Sequence, residues 1–242
     1  MLAIIGGTGL NTLPGLEGGE SREFRTAWAE SPVIVTLGRL AGRDLLFLPR
    51  HGPGHLVPPH RINYRANIAA LREAGARQVV GVAAVGGIRE DCGPATLVLP
   101  EDLIDYTWGR AQSFWDGEDE QMQHIEFAPP YAPPLQDALR RAAARAEVPL
   151  REGAVLGVTQ GPRLESAAEV RRLARDGCDL VGMTGMPEAA LAREAGLDYA
   201  CLAVVVNWAA GIGSGAIHAE IEESINRGMA QVRATLEALL RG

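Results

Sequence analysis

The chain has 242 residues, 47% of them hydrophobic and 22% charged, a globular mixture long enough to bury a sizeable core as one large domain or two small ones. A net charge of −7 without a run of Lys or Arg argues against a nucleic-acid partner, while a local cationic pocket for one small anion stays open. The three cysteines, Cys92, Cys178 and Cys201, lack metal-ligand spacing, and no apolar run forms a leader or spans a bilayer, so a cytoplasmic protein with reduced thiols and no metal is expected.

Residues 2–5 read as a short apolar strand ending in Gly6-Gly7-Thr8-Gly9, a turn with enough glycine to approach a ligand closely. A dinucleotide fingerprint fails there, because the sixth position counted from Gly7 is Thr12 and Pro14-Gly15 stop the helix that a pyrophosphate needs. A Walker lysine is absent too. What remains is a nest of backbone N–H groups with the Thr8 hydroxyl, suited to a single phosphate or sulfate. Strands at 33–37 and 45–48 follow, and the second delivers Arg50-His51-Gly52 at its end. Arg50 offers a planar fork to an oxyanion with His51 as a neighbouring donor; the alternative is a surface arginine beside a turn histidine. His55 and His60 lie in the loop before a helix at 63–74, which puts Ile68 and Leu71 on one face.

The nearly continuous apolar run 78–85 is what a parallel strand buried on both faces requires, and it closes on Gly86-Gly87. A strand at 96–99 precedes a long loop, 105–134, with Trp108, Phe114, Trp115 and Tyr131; loops of this length usually serve function or an interface. A helix at 135–146 and a strand at 155–158 lead to Gly161-Pro162-Arg163-Leu164-Glu165, and Ser166 caps a helix reaching Asp176. The strand 179–182 runs into Met183-Thr184-Gly185, and Pro187-Glu188 opens a helix ending at Ala195. A strand's carboxyl end is where parallel α/β sheets bind ligands, so the Thr184 hydroxyl can face an oxyanion; taken alone, the stretch reads slightly better as a buried turn. The last strand, 199–206, ends in Asn207-Trp208-Ala209. After Gly213-Ser214-Gly215, a helix from about 219 to 240 keeps Ile221, Ile225, Met229, Val232, Leu236 and Leu239 at helical spacing. Strands finishing in polar or glycine-rich turns at one edge imply one α/β domain, 1–242, with a mostly parallel central sheet, flanking helices and a single site.

Six segments together carry a resemblance: 4–10, Arg50-His51-Gly52, 63–68, Gly161-Pro162-Arg163, Gly182-Met183-Thr184 with Pro187-Glu188, and Ala195-Gly196. In order and over nearly the whole chain they resemble the purine nucleoside phosphorylase and methylthioadenosine phosphorylase family. The resemblance implies a trimer-building α/β fold, as trimer or dimer of trimers, in which neighbouring subunits complete the pocket. It implies cleavage of a purine nucleoside by inorganic phosphate, a co-substrate, with no metal or organic cofactor. It assigns Thr8, Arg50, His51, Thr184 and the backbone at Ala84 to phosphate and Met183 to ribose.

Two further positions speak to the base. Asn207 stands where the 6-oxopurine enzymes of the family have asparagine, whereas the methylthioadenosine enzymes have aspartate there and again two residues on, where this chain has Ala209. An amide donates to N7 and the 6-oxo oxygen, and Glu165 matches the glutamate that accepts a hydrogen bond from N1–H. At the 5′ end, Ile221 replaces a histidine that serves a ribose hydroxyl and suits a methylthio group instead. The combination implies a 6-oxopurine 5′-methylthionucleoside as substrate, with Asn207 assisting the leaving base. A methylthioadenosine phosphorylase, a general 6-oxopurine phosphorylase, a phosphate-independent nucleosidase and a catalytically silent nucleoside-binding protein are the alternatives. Ala83 replaces a polar residue that often helps hold phosphate, and Leu164, placed on the base, replaces a stacking aromatic.

Overall fold

The structure is a computed structural model that describes residues 1–117, 124–213 and 221–242. Its strands are β1 (Leu2–Gly6), β2 (Glu17–Phe24), β3 (Val33–Leu40), β4 (Arg43–Pro49), β5 (Gln78–Gly87), β6 (Leu97–Asp105), β7 (Leu150–Val158), β8 (Leu180–Gly182) and β9 (Asp198–Trp208). Its helices are α1 (Tyr64–Glu73), α2 (Pro133–Arg145), α3 (Ala167–Arg175), α4 (Gly185–Glu194) and α5 (Ile221–Arg241). None of them is long and apolar enough to cross a membrane. The aromatic loop's residues 118–123, the stretch from Ser214 and the expected helix start at Ala219 fall outside the described residues.

Period-two alternation explains how the sheet takes helices on both sides, because neighbours along a strand point to opposite faces. Ala3 and Ile5, Leu46 and Leu48, and Cys201, Ala203 and Val205 join Ile68 and Leu71 of α1 and Leu191 of α4 in one core. Ile4, Leu45, Phe47, Ala200, Leu202 and Val204 join Leu135 and Leu139 of α2 and Val232 and Leu236 of α5 in another. The helix ends follow the sequence signals. Asn63 accepts from the Ala66 amide, and Ser166 with Glu169 forms a capping box. At α4, Met186 is extended (φ −121°, ψ 140°), as expected before a proline, so the regular turns begin at Pro187.

The sheet is mixed, which corrects the reading that every strand finishes at one parallel edge. β1, β4, β5 and β9 are parallel through the β1–β4, β1–β5 and β5–β9 ladders. β6, β7 and β8 are parallel to one another but antiparallel to β5 and β9. The order β2-β3-β4-β1-β5-β8-β7-β6-β9, with the additional β5–β9 pairing, closes five strands into a ring. Three strands differ from the sequence pattern, among them β7, which starts at Leu150, five residues before the expected 155–158. β2 is exposed from Glu17 to Glu23 and shows no apolar alternation; it is a strand because β3 pairs with it. β6 continues through the charged Glu101 and Asp102 to Asp105, since β7 accompanies it that far.

Candidate active site

One cavity of about 240 Å³ is lined by all ten residues assigned to phosphate, sugar, base or the 5′ group: Thr8, Arg50, His51, Ala84, Leu164, Glu165, Met183, Thr184, Asn207 and Ile221. Two strand directions meet there. The parallel strands β1, β4, β5 and β9 bring Thr8, Arg50 with His51, Ala84 and Asn207 to their carboxyl ends, as the edge rule requires. β8 arrives by another route. It is three residues long and antiparallel to β5, with Val181 opposite Gly86, so its end delivers Met183 and Thr184 against the same stretch of β5.

Arg50 departs from the expected geometry. Its Nε and Nη2 donate to the two carboxylate oxygens of Glu188 at 2.6 and 2.7 Å, and its Nη1 donates to the Val82 carbonyl at 2.8 Å. The fork therefore grips a carboxylate of the protein. A guanidinium has five N–H groups, so one at Nη1 and one at Nη2 remain. Nη1 lies beside the glycine turn: a Cβ on Gly7 would come within 2.7 Å of it, so only glycine leaves this approach open. Burial works against the Arg50 charge, but Glu188 outweighs it and raises the pKa. Tyr199 Oη donates to Glu188 Oε1 at 2.7 Å, and Gly81 makes room, since a Cβ there would lie 2.2 Å from that hydroxyl oxygen. The sequence pointed to Glu188 only as the residue after Pro187; its partnership with Arg50, 138 positions away, was not legible.

His51 Nδ1 bonds the Val57 carbonyl at 2.8 Å. A carbonyl only accepts, so Nδ1 carries the proton, and Nε2 of the neutral ring is an acceptor rather than the donor expected from the sequence, open to a ligand O–H. Burial is the main cause that lowers the His51 pKa, to about 4; the Val57 bond opposes it and the Arg50 and His55 charges add to it. The His55 ring lies 4.2 Å from that of His51, with Nε2 3.3 Å from Thr8 Oγ1 and Nδ1 2.9 Å from Asn11 Oδ1. Neither loop histidine lines the cavity, but His55 supports two residues that do, Thr8 and His51. The Thr184 hydroxyl makes no capping bond to α4.

On the other segments, the Thr159 hydroxyl donates to Glu165 Oε1 at 2.5 Å and so orients the carboxylate. Asn207 Nδ2 donates to the Trp208 carbonyl at 2.6 Å, leaving its second N–H and its Oδ1 for a ligand. A bulge in β9 places it: Val85 pairs with Val205 but Gly86 with Asn207, so Val206 and Asn207 both line the cavity where regular alternation would part them. Leu164, 51% exposed, sits at the mouth. Ile225 lines the cavity one helical turn after Ile221, so the start of α5 presents two aliphatic side chains where the sequence reading named one.

The sequence model of the Phosphorylase superfamily matches residues 2–241. A probable S-methyl-5′-thioinosine phosphorylase of Xylella fastidiosa (strain 9a5c) is 54% identical over 215 residues, covering 89% of this chain and 91% of that protein. A 6-oxopurine nucleoside phosphorylase of Pyrococcus furiosus is 39% identical over 232 residues, 93% of this chain and 86% of that protein. Among solved structures, a methylthioadenosine phosphorylase from an antarctic soil metagenomic library superposes with a TM-score of 0.91 at 32% identity, covering 99% of this chain and 85% of that one.

Proposed function

Since the chain belongs to the phosphorylase superfamily, we propose that it cleaves the N-glycosidic bond of S-methyl-5′-thioinosine with inorganic phosphate, giving hypoxanthine and 5-methylthioribose 1-phosphate. It is then a pentosyltransferase of the nucleoside phosphorylase type. The observation that carries this reading is that the anion-suited residues, the amide-and-carboxylate pair Asn207 and Glu165, and the aliphatic start of α5 line a single cavity.

In this reading phosphate lies against Thr8, Arg50, His51, Thr184 and the backbone at Ala84, beneath the anomeric carbon of a sugar that meets Met183. A phosphate oxygen forms the new bond to C1′ as the bond from C1′ to N9 breaks, the purine leaves with the electron pair, and the proton that the phosphate group gives up neutralises it to hypoxanthine, directly or through water. Positive charge on the sugar is stabilised by the phosphate oxygens, and negative charge on the base by the one N–H that Asn207 has left, shared between N7 and the 6-oxo oxygen. Glu165 accepts a hydrogen bond from N1–H, Leu164 covers the base, and Ile221 with Ile225 packs on the methylthio group. Phosphate is the attacking group, so the step needs no protein nucleophile, metal ion or organic cofactor. Leu164 is half-exposed at the mouth, and in the proposed homotrimer or dimer of trimers a neighbouring subunit closes over the base there.

The test is product formation from methylthioinosine, methylthioadenosine and inosine, each with and without phosphate. The reading expects hypoxanthine and methylthioribose 1-phosphate from the first, only when phosphate is present. Equal rates without phosphate would make the protein a nucleosidase, and no turnover with retained nucleoside binding would make it a binding protein.

A further inference from the structure

The aromatic-rich loop after β6 contributes no residue to the reaction as drawn, yet one of its side chains holds two walls of the cavity. Arg110 Nη1 donates to the carbonyls of Met183 at 2.9 Å and Met186 at 2.5 Å and to Tyr64 Oη at 3.2 Å. Its Nη2 donates to the carbonyls of Gln160 at 2.8 Å and Thr159 at 3.3 Å, and its Nε to Gln160 Oε1 at 3.1 Å. All of these acceptors are neutral oxygens, so this guanidinium is held by backbone and side-chain dipoles, in contrast to Arg50 with its carboxylate.

We infer that Arg110 is a positioning residue that ties the Met183-Thr184 turn to the segment leading to Glu165, so that the sugar-and-phosphate half and the base half of the cavity keep one spacing. The ladder between β7 and β8 ends with Val158 opposite Gly182 and a last bond from the Thr159 amide to the Gly182 carbonyl at 2.8 Å. Beyond that point the two backbones part, one toward Glu165 and the other into α4, and no sheet bond holds them together. Arg110 spans the gap. Its planar fork reaches carbonyls on both segments at once, which the single ammonium of a lysine cannot do. The same Thr159 whose carbonyl it holds orients Glu165 through its hydroxyl. Phosphate bound on one segment must be aligned with a base bound on the other, and a shift of about 1 Å between them costs on the order of a hundredfold in rate.

This inference rests on the phosphorolysis proposed above, and its test begins from wild-type protein that turns over methylthioinosine with phosphate; failure at that stage refutes the reaction and not the role of Arg110. Arg110→Gln, Arg110→Lys and the milder Gln160→Ala, which removes the side-chain oxygen shared by Arg110 Nε and the Trp108 amide but keeps the main-chain acceptors, are compared for kcat, thermal unfolding, and calorimetric binding of phosphate alone and hypoxanthine alone. The expected result for Arg110→Gln is a kcat lower by about a hundredfold with single-ligand affinities and melting temperature kept, Lys recovering part of the loss and Gln160→Ala showing a smaller loss of the same kind. Wild-type kcat in all three variants overturns the inference. So does a fall in kcat matched by equal losses in the separate affinities or in folded protein.

Discussion

Arg50 and Glu188 form a two-point ion pair in which each side chain is only 1% exposed. The pair brings no net charge to the cavity wall, so a phosphate there meets directed N–H groups rather than a free cation. Removing either partner alone leaves a buried charge without compensation, and Arg50→Ala or Glu188→Ala should cost about 3–5 kcal/mol in denaturant unfolding. The double variant Arg50→Met, Glu188→Leu should recover most of that stability while leaving the phosphate KM high. Restored phosphate use in the double variant would show that Arg50 serves only the fold.

His51 makes stability depend on pH in a stated direction. Its pKa falls from 6.5 to about 4 on folding, chiefly through burial, so below pH 6.5 the unfolded chain binds more protons than the native one. The contribution is complete above that value and is lost as pH falls toward about 4. His51→Gln should flatten the unfolding free energy across this window. Saturating phosphate, by placing negative charge beside the ring, should flatten it in the wild type as well. A wild-type profile that keeps its slope in phosphate would place the anion elsewhere.

Asn207 and Glu165 should decide between purines. Methylthioinosine is expected to exceed methylthioadenosine in kcat/KM by something on the order of 10⁴-fold, because the amino base leaves buried polar groups unpaired. Thr159→Val, which removes the hydroxyl anchoring Glu165, should weaken this preference by roughly tenfold, about the value of one hydrogen bond. Equal kcat/KM for the two nucleosides in the wild type would remove Asn207 and Glu165 from base selection.

The two isoleucines at the start of α5 should disfavour a free 5′-hydroxyl. Inosine is expected to lose about 1–3 kcal/mol in kcat/KM against methylthioinosine, since its hydroxyl enters an aliphatic pocket. Ile221→His and Ile225→His are compared for the ratio of the two substrates. The variant that narrows the ratio contains the residue against the methyl group, and an unchanged ratio in both would move the 5′ pocket away from α5.

How much of this was legible follows from the range of the interactions involved. The apolar strands, the cap at Ser166 and the turn residues of the cavity are local signals, and each is where the sequence put it, while Asn63, read as the first residue of a helix, is its cap. β2 is not a local signal: Glu17-Gly-Gly-Glu-Ser-Arg-Glu has no buried face, and only its register against Val33–Leu40 makes it a strand. The direction of β8 is equally hidden, because three apolar residues look the same in a parallel or an antiparallel ladder. The partners of the two arginines were out of reach for a different reason. Glu188 stands far from Arg50 along the chain, and the acceptors of Arg110 are mostly main-chain carbonyls, which no side-chain pattern announces.

The closed ring of β5, β8, β7, β6 and β9 leaves the sheet with a single terminal strand, β2, among the described residues. Unpaired strand edges are where a second chain can add on and begin edge-to-edge aggregation. Here that edge is exposed and carries Glu17, Glu20, Arg22 and Glu23, with a register break between Glu17 and Glu20. Charge and irregularity together make it a poor template for another strand, so the outermost element of the sheet guards the fold against misassociation.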